Sequence, residues 1–152
     1  QNITFMDRLT IEYFDTPKKG LSFRNCNLLG SLSIWKCAFG HISIHSITQA
    51  NAIGTGNCHC KTMLLKDITT KRSIDLSGVT ASEWLSIEGV KAEEGIALFN
   101  EGSASTVKTL WVRTDSRIVA RQFELARIPV FASHASVVAW LTPGPAEKIC
   151  LK

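Results

Sequence analysis

Residues 20–44, with the sequence GLSFRNCNLLGSLSIWKCAFGHISI, contain the pattern that decides the fold class. A short segment of the form apolar–serine–apolar occurs three times, as Leu21-Ser22-Phe23, Leu32-Ser33-Ile34 and Ile42-Ser43-Ile44. The glycines that precede these segments are ten residues apart, at Gly20, Gly30 and Gly40. Side chains alternate between the two faces of a strand, so both apolar residues of each segment lie on one face. The stretch therefore predicts short strands that pack on a common core.

The rest of the chain has the same β-rich character. Runs with strand-like alternation predict further strands at residues 3–15, 58–65, 72–76, 95–100, 106–114, 116–125 and 137–141. With 152 residues, of which 45% are hydrophobic and 20% charged, the chain has the size and composition of one globular domain. We therefore expect residues 1–152 to form a single all-β domain of about eight to ten short strands.

Short strands at intervals of about ten residues are typical of an antiparallel sandwich, a jelly roll or a barrel, which is the expected architecture. Asp115-Ser116, between two β-rich runs, predicts a tight hairpin turn. One short helix is expected at residues 81–88, because Thr80-Ala81-Ser82-Glu83 has the form of a helix capping box. A strand at Trp84–Glu88 is the alternative, since the side chains of this segment also alternate between two faces.

A short β-solenoid is the alternative architecture. The three glycine-preceded segments resemble consecutive coils, each stacked on the one before. The spacing fails after Gly40, because the next glycine is Gly54, and about three repeats are the fewest that make a stable stack. The pattern therefore favours the sandwich, jelly roll or barrel over the solenoid.

The residue types best suited to chemistry are concentrated in Cys58-His59-Cys60, with His41 and His45 upstream. Structural zinc sites use Cys-x2-Cys or a similar spacing on a tight turn, which a Cys-x-Cys step lacks. A cysteine nucleophile would need His41, His45 or His134 as its base, and no signature of such an enzyme surrounds these cysteines. We therefore expect no metal and no cofactor. A thiol- or metal-dependent enzyme centred on Cys58 and Cys60 is the third functional hypothesis.

The cysteines do not predict a disulfide framework. There are five of them, at Cys26, Cys37, Cys58, Cys60 and Cys150. An odd number leaves at least one thiol unpaired, and a domain of this length does not need bridges to fold. If the chain is secreted, Cys26 and Cys37 are the pair that two neighbouring strands would bring together.

A basic segment in the second half of the chain is the candidate binding site. The net charge of the chain is +4, without any block of five or six like charges. Arginine beside an exposed aromatic ring binds phosphate, single-stranded nucleic acid or an acidic protein surface. The alternative is that these arginines line the solvated face of an amphipathic strand. The candidate residues are Arg113, Arg117, Arg121, Arg127 and Trp111.

The leading functional hypothesis is a non-enzymatic structural or interaction module that acts through its surface in protein–protein binding or assembly. It depends on the high β content and on sheet edges, which readily pair with other strands. By analogy, such modules occur in viral coat and envelope proteins and in secreted effectors. Binding of nucleic acid or another polyanion through Arg113–Arg127 is the second hypothesis. We expect a protein partner or self-assembly, possible contact with nucleic acid, and no membrane span, since no apolar run is long enough.

Overall fold

The computed structural model of the protein describes residues 3–99, 105–107, 110–114, 116–121, 123–125 and 137–140. Within these residues the chain forms sixteen β-strands and no helix. In chain order the strands are β1 (Ile3–Phe5), β2 (Leu9–Glu12), β3 (Asp15–Arg24), β4 (Cys26–Leu28), β5 (Leu32–Trp35), β6 (Ala38–Ala50), β7 (Ile53–Gly56), β8 (His59–Thr70), β9 (Ile74–Asp75), β10 (Thr80–Ala92), β11 (Ile96–Phe99), β12 (Ser105–Val107), β13 (Leu110–Thr114), β14 (Ile118–Arg121), β15 (Phe123–Leu125) and β16 (Val137–Trp140).

The strands pair in parallel and stack as a β-solenoid of about five turns. One column of in-register residues shows the repeat, with members 21 to 23 residues apart: Leu9, Leu32, Ile53, Ile74, Ile96 and Ile118. The all-β prediction is confirmed, and so is the alternative architecture. The expected sandwich, jelly roll or barrel is wrong, because each strand pairs with a strand one whole coil away instead of with its neighbour in the chain. The ten-residue glycine spacing corresponds to about half a coil.

Each coil has three sides. Side A is the seven-stranded sheet of β2, β5, β7, β9, β11, β14 and β16. Side B consists of residues 15–24, 38–45, 59–66, 80–88, 105–107, 110–113 and 123–125. Side C consists of residues 3–5, 26–28, 47–50, 68–70 and 90–92. Strands β6, β8 and β10 are long because each runs along side B and continues past a corner onto side C.

Residues in the left-handed conformation stand at two corners of every complete coil. Between sides A and B, φ is positive at Tyr13, Lys36, Asn57 and Gly78. Between sides B and C, φ is positive at Asn25, Ser46, Asp67 and Gly89. Within each set the residues are again 21 to 23 positions apart, so these corners carry the true repeat. Only two of the eight are glycine, and a left-handed residue with a side chain costs about 1–2 kcal/mol, which the stacked coils must offset.

The core is built from inward columns that continue from coil to coil. Two columns on side B are Leu21–Ile42–Met63–Leu85–Leu110 and Phe23–Ile44–Leu65–Ile87–Val112. Their members are buried in every coil except the first, where Leu21 and Phe23 are half-buried. Full burial of one such side chain contributes about 1.5–3 kcal/mol. Each coil is therefore stabilised chiefly by the coils on either side of it.

The helix expected at residues 81–88 is wrong, and the alternative strand is confirmed. This segment lies in β10, where Leu85 and Ile87 point into the core. Ser82 and Glu83 are exposed at a bulge, because β10 has one residue more than β8 between Ala81 and Trp84. The capping-box pattern is overridden because pairing with β8 and β13 buries both large apolar side chains.

The hairpin expected at Asp115-Ser116 is also wrong. Strand β13 before it pairs with β10 on side B, whereas β14 after it pairs with β11 and β16 on side A. Asp115 itself lies outside the described residues. A tight turn between two β-rich runs looks the same in sequence whether the chain reverses or passes a corner of a solenoid.

Two glycines of the repeat are covered by an aromatic ring from the neighbouring coil. A Cβ added at Gly20 would lie 1.8 Å from His41 Nε2, and one added at Gly56 would lie 1.8 Å from Trp35 Cζ3. His41 and Trp35 are the in-register neighbours of these glycines. The ring therefore covers the outer face of the glycine, an arrangement that protects strand glycines in other sheets.

The substitution Gly89→Ala is expected to lower the free energy of unfolding by about 1–2 kcal/mol. Gly89 has a φ of 59°, and its new Cβ would lie 2.7 Å from Asp67 Oδ1. Gly54→Ala is the matched control, because φ is not positive there and nothing lies within 4 Å of an added Cβ. We expect the control to change stability by less than about 0.5 kcal/mol. Urea unfolding followed by circular dichroism measures both, and equal effects would contradict the role of the corner.

Candidate functional surfaces

The wall of the solenoid separates the thiols of Cys58-His59-Cys60 from the imidazoles. Cys58 and Cys60 are buried and belong to the core. His41 and His59 are exposed on the outer surface of side B, and His45 on the same surface is half-buried. His134 lies outside the described residues. The described histidines and the two thiols therefore face opposite sides of the same strands and form neither a zinc site nor a nucleophile–base pair.

Burial makes these thiols unreactive. It raises the pKa of Cys58 from 9.0 to about 11. It also raises the pKa of Cys60 from 9.0 to about 12, and the charge of a Cys58 thiolate makes a smaller contribution in the same direction. Cys58 Sγ donates to the carbonyls of Ile34 and Gly56, both at 3.4 Å. The thiolate is the nucleophile and the metal ligand, so a thiol that stays protonated at neutral pH has neither role. Both residues serve as small core side chains.

The other described cysteines are also core residues. Cys26 and Cys37 are buried with free thiols, and each donates to a carbonyl of its own segment: Cys26 to Arg24 at 3.4 Å and Cys37 to Trp35 at 3.2 Å. Cys150 lies outside the described residues. In the part of the chain that the structure describes, no three His, Cys, Asp or Glu side chains are grouped as metal ligands.

The predicted basic segment is distributed over more than one side of the solenoid. Trp111 and Arg113 are exposed on β13, two residues apart on the outer surface of side B. Arg117 is exposed just before β14, and its carbonyl accepts a hydrogen bond from Ile96 N at 2.8 Å. Arg121 belongs to β14 on side A, and Arg127 lies outside the described residues. The structure therefore brings Trp111 and Arg113 together, and binding through the whole set stays a prediction.

A row of outward side chains runs along side B, one from each coil. This charged row consists of Arg24, His45, Lys66, Glu88 and Arg113, each in register with the next. Lys66 Nζ lies 3.8 Å from Glu88 Oε2, and Ser86 Oγ donates to Glu88 Oε1 at 2.7 Å. Sequence reasoning missed the row because its members are 21 to 25 residues apart and differ in type. The coil period that the corner residues carry would have aligned the first four members, whereas Arg113 follows Glu88 by 25 residues and is aligned only by the pairing of β10 with β13.

The first coil, residues 3–24, has an unpaired edge on all three sides among the described residues. Strand β1 pairs only with β4, β2 only with β5, and β3 only with β6. This first-coil surface also exposes Met6 (73%), Tyr13 (69%) and Phe14 (54%). The described chain exposes six large hydrophobic residues. Three are those just named, Leu29 and Trp35 lie in the second coil, and only Trp111 lies further along. An exposed apolar patch next to unpaired strand edges marks a surface for association.

Comparison with family models, with curated proteins and with solved structures finds no match to this chain. Among the described residues, no helix is long and apolar enough to cross a membrane.

The buried thiols predict a loss of stability in alkaline solution. Their pKa values are raised in the folded protein, so the unfolded chain releases these protons first. The stabilising contribution is complete below the ordinary thiol pKa of 9.0 and is lost as the pH rises through about 11 for Cys58 and about 12 for Cys60. Urea midpoints measured from neutral pH to pH 11 are expected to fall steadily above pH 9.

The matched variant for this measurement is Cys58→Val/Cys60→Ala. Val79 and Ala81 occupy the positions of Cys58 and Cys60 one coil later, and both are buried there. The replacements are therefore residues that the core already accommodates at these positions. We expect this variant to lose most of the alkaline decrease. An undiminished decrease would show that other groups cause it.

Proposed function

We propose that this chain is a non-enzymatic structural module that associates with a second copy of itself through the first-coil surface. The observation that carries this proposal is that, among the described residues, each of the three strands of the first coil pairs along one edge only, and the other edges all face the same way. The backbone N–H and C=O groups of such an edge are satisfied in a regular array only by another extended strand. The expected occupant is therefore itself a layer of β-strands.

Side chains of the first coil support the same conclusion. Leu9, Ile11 and Phe5 are half-buried, whereas Leu32 and Ile34, which follow Leu9 and Ile11 one coil later, are buried. In a solenoid each coil is covered by the coils on either side of it, and no described strand covers the outer side of the first coil. A second layer of strands would remove this apolar surface from solvent.

The three edges differ in how open they are to pairing. Proline, lysine and bulges commonly protect the edge of a sheet, and β3 has all three at Pro17, Lys18 and Lys19, opposite the single residue Gly40 of β6. Strands β1 and β2 contain none of these devices. Association would therefore use β1, β2 and the two ends of β3.

Charge complementarity favours a second copy of this chain as the occupant. A two-fold axis through the middle of β3 would pair the two β3 strands antiparallel and place Asp15 of each copy opposite Arg24 of the other. Both side chains are exposed on the outer surface, so their orientations agree. The same axis places the three-residue β1 against the four-residue β2 of the second copy, and it brings the two exposed Met6 side chains together.

The size of the surface is also sufficient. The first coil spans residues 3–24, and one side of a stable protein interface has about 20–30 residues. Each pair of opposite charges that face each other across two strands stabilises the pairing by about 0.2–1 kcal/mol. The two Asp15–Arg24 contacts would therefore select the register of the two strands. Burial of the apolar residues would supply most of the affinity.

Light scattering after size exclusion, over a series of protein concentrations, tests the proposal. The unmodified protein is expected to dimerise with a dissociation constant in the micromolar range or below. Asp15→Arg would place two arginines opposite each other and is expected to weaken the dimer about tenfold or more. The double reversal Asp15→Arg/Arg24→Asp restores opposite charges and is expected to recover the dimer.

Glu83→Arg is the matched control, since it makes the same change of charge at an exposed bulge of β10. We expect it to leave the dimer unchanged. A protein that stays monomeric at every concentration would overturn the proposal. So would a double reversal that dimerises no better than Asp15→Arg alone.

A further inference from the structure

We propose that side B binds single-stranded nucleic acid, with the phosphates along the charged row and a base stacked on Trp111. This surface runs along the solenoid instead of across the first coil, and the charged row shares only Arg24 with the first-coil surface. The proposal arises from a juxtaposition that only the coil register creates: Arg24, Lys66 and Arg113 fall in one row, and the row beside it ends in Trp111.

The charged row has the dimensions of a short track for a polyanion. Neighbouring parallel strands are about 4.7–4.9 Å apart, so the five members of the row extend over about 19 Å. Arg24, Lys66 and Arg113 carry full positive charge at neutral pH and are exposed. An extended nucleic-acid backbone is a line of negative charges, and binding of this kind depends on matching such a line with lysine and arginine.

Glu88 is the one anion of the row, and it makes the proposal testable. Its carboxylate lies between Lys66 and Arg113 in the register, where it contacts Lys66 Nζ and accepts a hydrogen bond from Ser86. It neutralises part of the row and therefore opposes the binding of a polyanion. Removal of its charge would leave no anionic side chain in the row.

Aromatic rings lie beside the cations on the same outer surface. Trp111 is 44% exposed and lies two residues from Arg113, which is about 6.6 Å along a strand. Trp84, half-buried on β10, and His41 on β6 belong to the row beyond it. A cationic track with aromatic rings at its side is the combination that holds single strands, because every base has a π-face that stacks on such rings.

The shape of side B favours a single strand over a duplex. In the part of the chain that the structure describes, its outer surface is the face of a parallel sheet, and no helix or ribbon projects from it to enter a major groove. The bases of a duplex are already stacked on one another, so none of them is available to stack on Trp111. A contribution of Trp111 to the affinity therefore distinguishes binding of a single strand from electrostatic attraction to any polyanion.

Fluorescence anisotropy with a labelled oligo(dT) of about 12 nucleotides, at about 50 mM salt, tests the site. Lys66→Gln and Arg113→Gln are each expected to weaken binding several-fold and to reduce the slope of log K against log salt by about 0.7. Trp111→Ala is expected to weaken binding about tenfold. Glu88→Gln is expected to tighten it, which no misfolded variant would do. Arg24 is left unchanged because it also lies in the proposed contact between copies.

Two controls change the same residue types on other sides of the solenoid. Lys91→Gln removes an exposed charge from side C, and Trp35→Ala removes a partly exposed ring from side A. Both are expected to bind oligo(dT) like the unmodified protein. Urea unfolding of every variant establishes that it is folded.

Three outcomes would overturn the proposal. Loss of binding in Arg117→Gln or Arg121→Gln, with Lys66→Gln unaffected, would place the site at the corner and on side A. A heparin oligosaccharide that binds at least as tightly, together with an unchanged affinity of Trp111→Ala for oligo(dT), would identify an anionic-glycan site. Unchanged affinity in Glu88→Gln would show that the charged row does not contact the ligand.

Discussion

The parallel hydrogen-bonded ladder that joins each coil to the next is the constraint on which the rest of this protein depends. A ladder of this kind requires every coil to place the same kind of residue at the same point, because a slip of one position would turn the inner side chains outward. The corner residues maintain that period: Lys36, Asn57 and Gly78 differ in type but share a left-handed conformation. Their backbone strain is small beside the burial of several apolar side chains in each coil.

The same constraint places each side chain either in the interior or on the outer surface of the solenoid, with the sheet between the two groups. Cys58 and Cys60, which have the chemistry of a nucleophile or a metal ligand, point inward, where burial keeps them protonated. His45 belongs to the exterior, one strand away but on the other side of the wall. Residues close in sequence are therefore separated, whereas Lys66, Glu88 and Arg113 are aligned although they are far apart in sequence.

The end and the side of the solenoid offer different kinds of recognition. At the first coil the described strands pair along one edge only and their inner side chains are half-buried, and the proposed occupant of this surface is another layer of strands. Along side B, strands β6, β8 and β10 pair on both edges, so the proposed recognition there would depend on side chains such as Arg113 and Trp111. Association at the end would leave most of side B accessible, so the two proposed interactions are compatible.

The sequence by itself determined that the protein is all-β, because alternation of apolar residues in segments such as Leu32-Ser33-Ile34 depends only on the geometry of a strand. It also showed that Cys58 and Cys60 lack the usual spacing of zinc ligands. Only the tertiary structure decided between sandwich and solenoid, since both present short strands and differ in which strand pairs with which. The helix expected at residues 81–88 is wrong, and the candidate arginines are distributed over more than one side, for the same reason. Local pattern does not report pairing with the next coil, and that pairing decides which side each residue occupies.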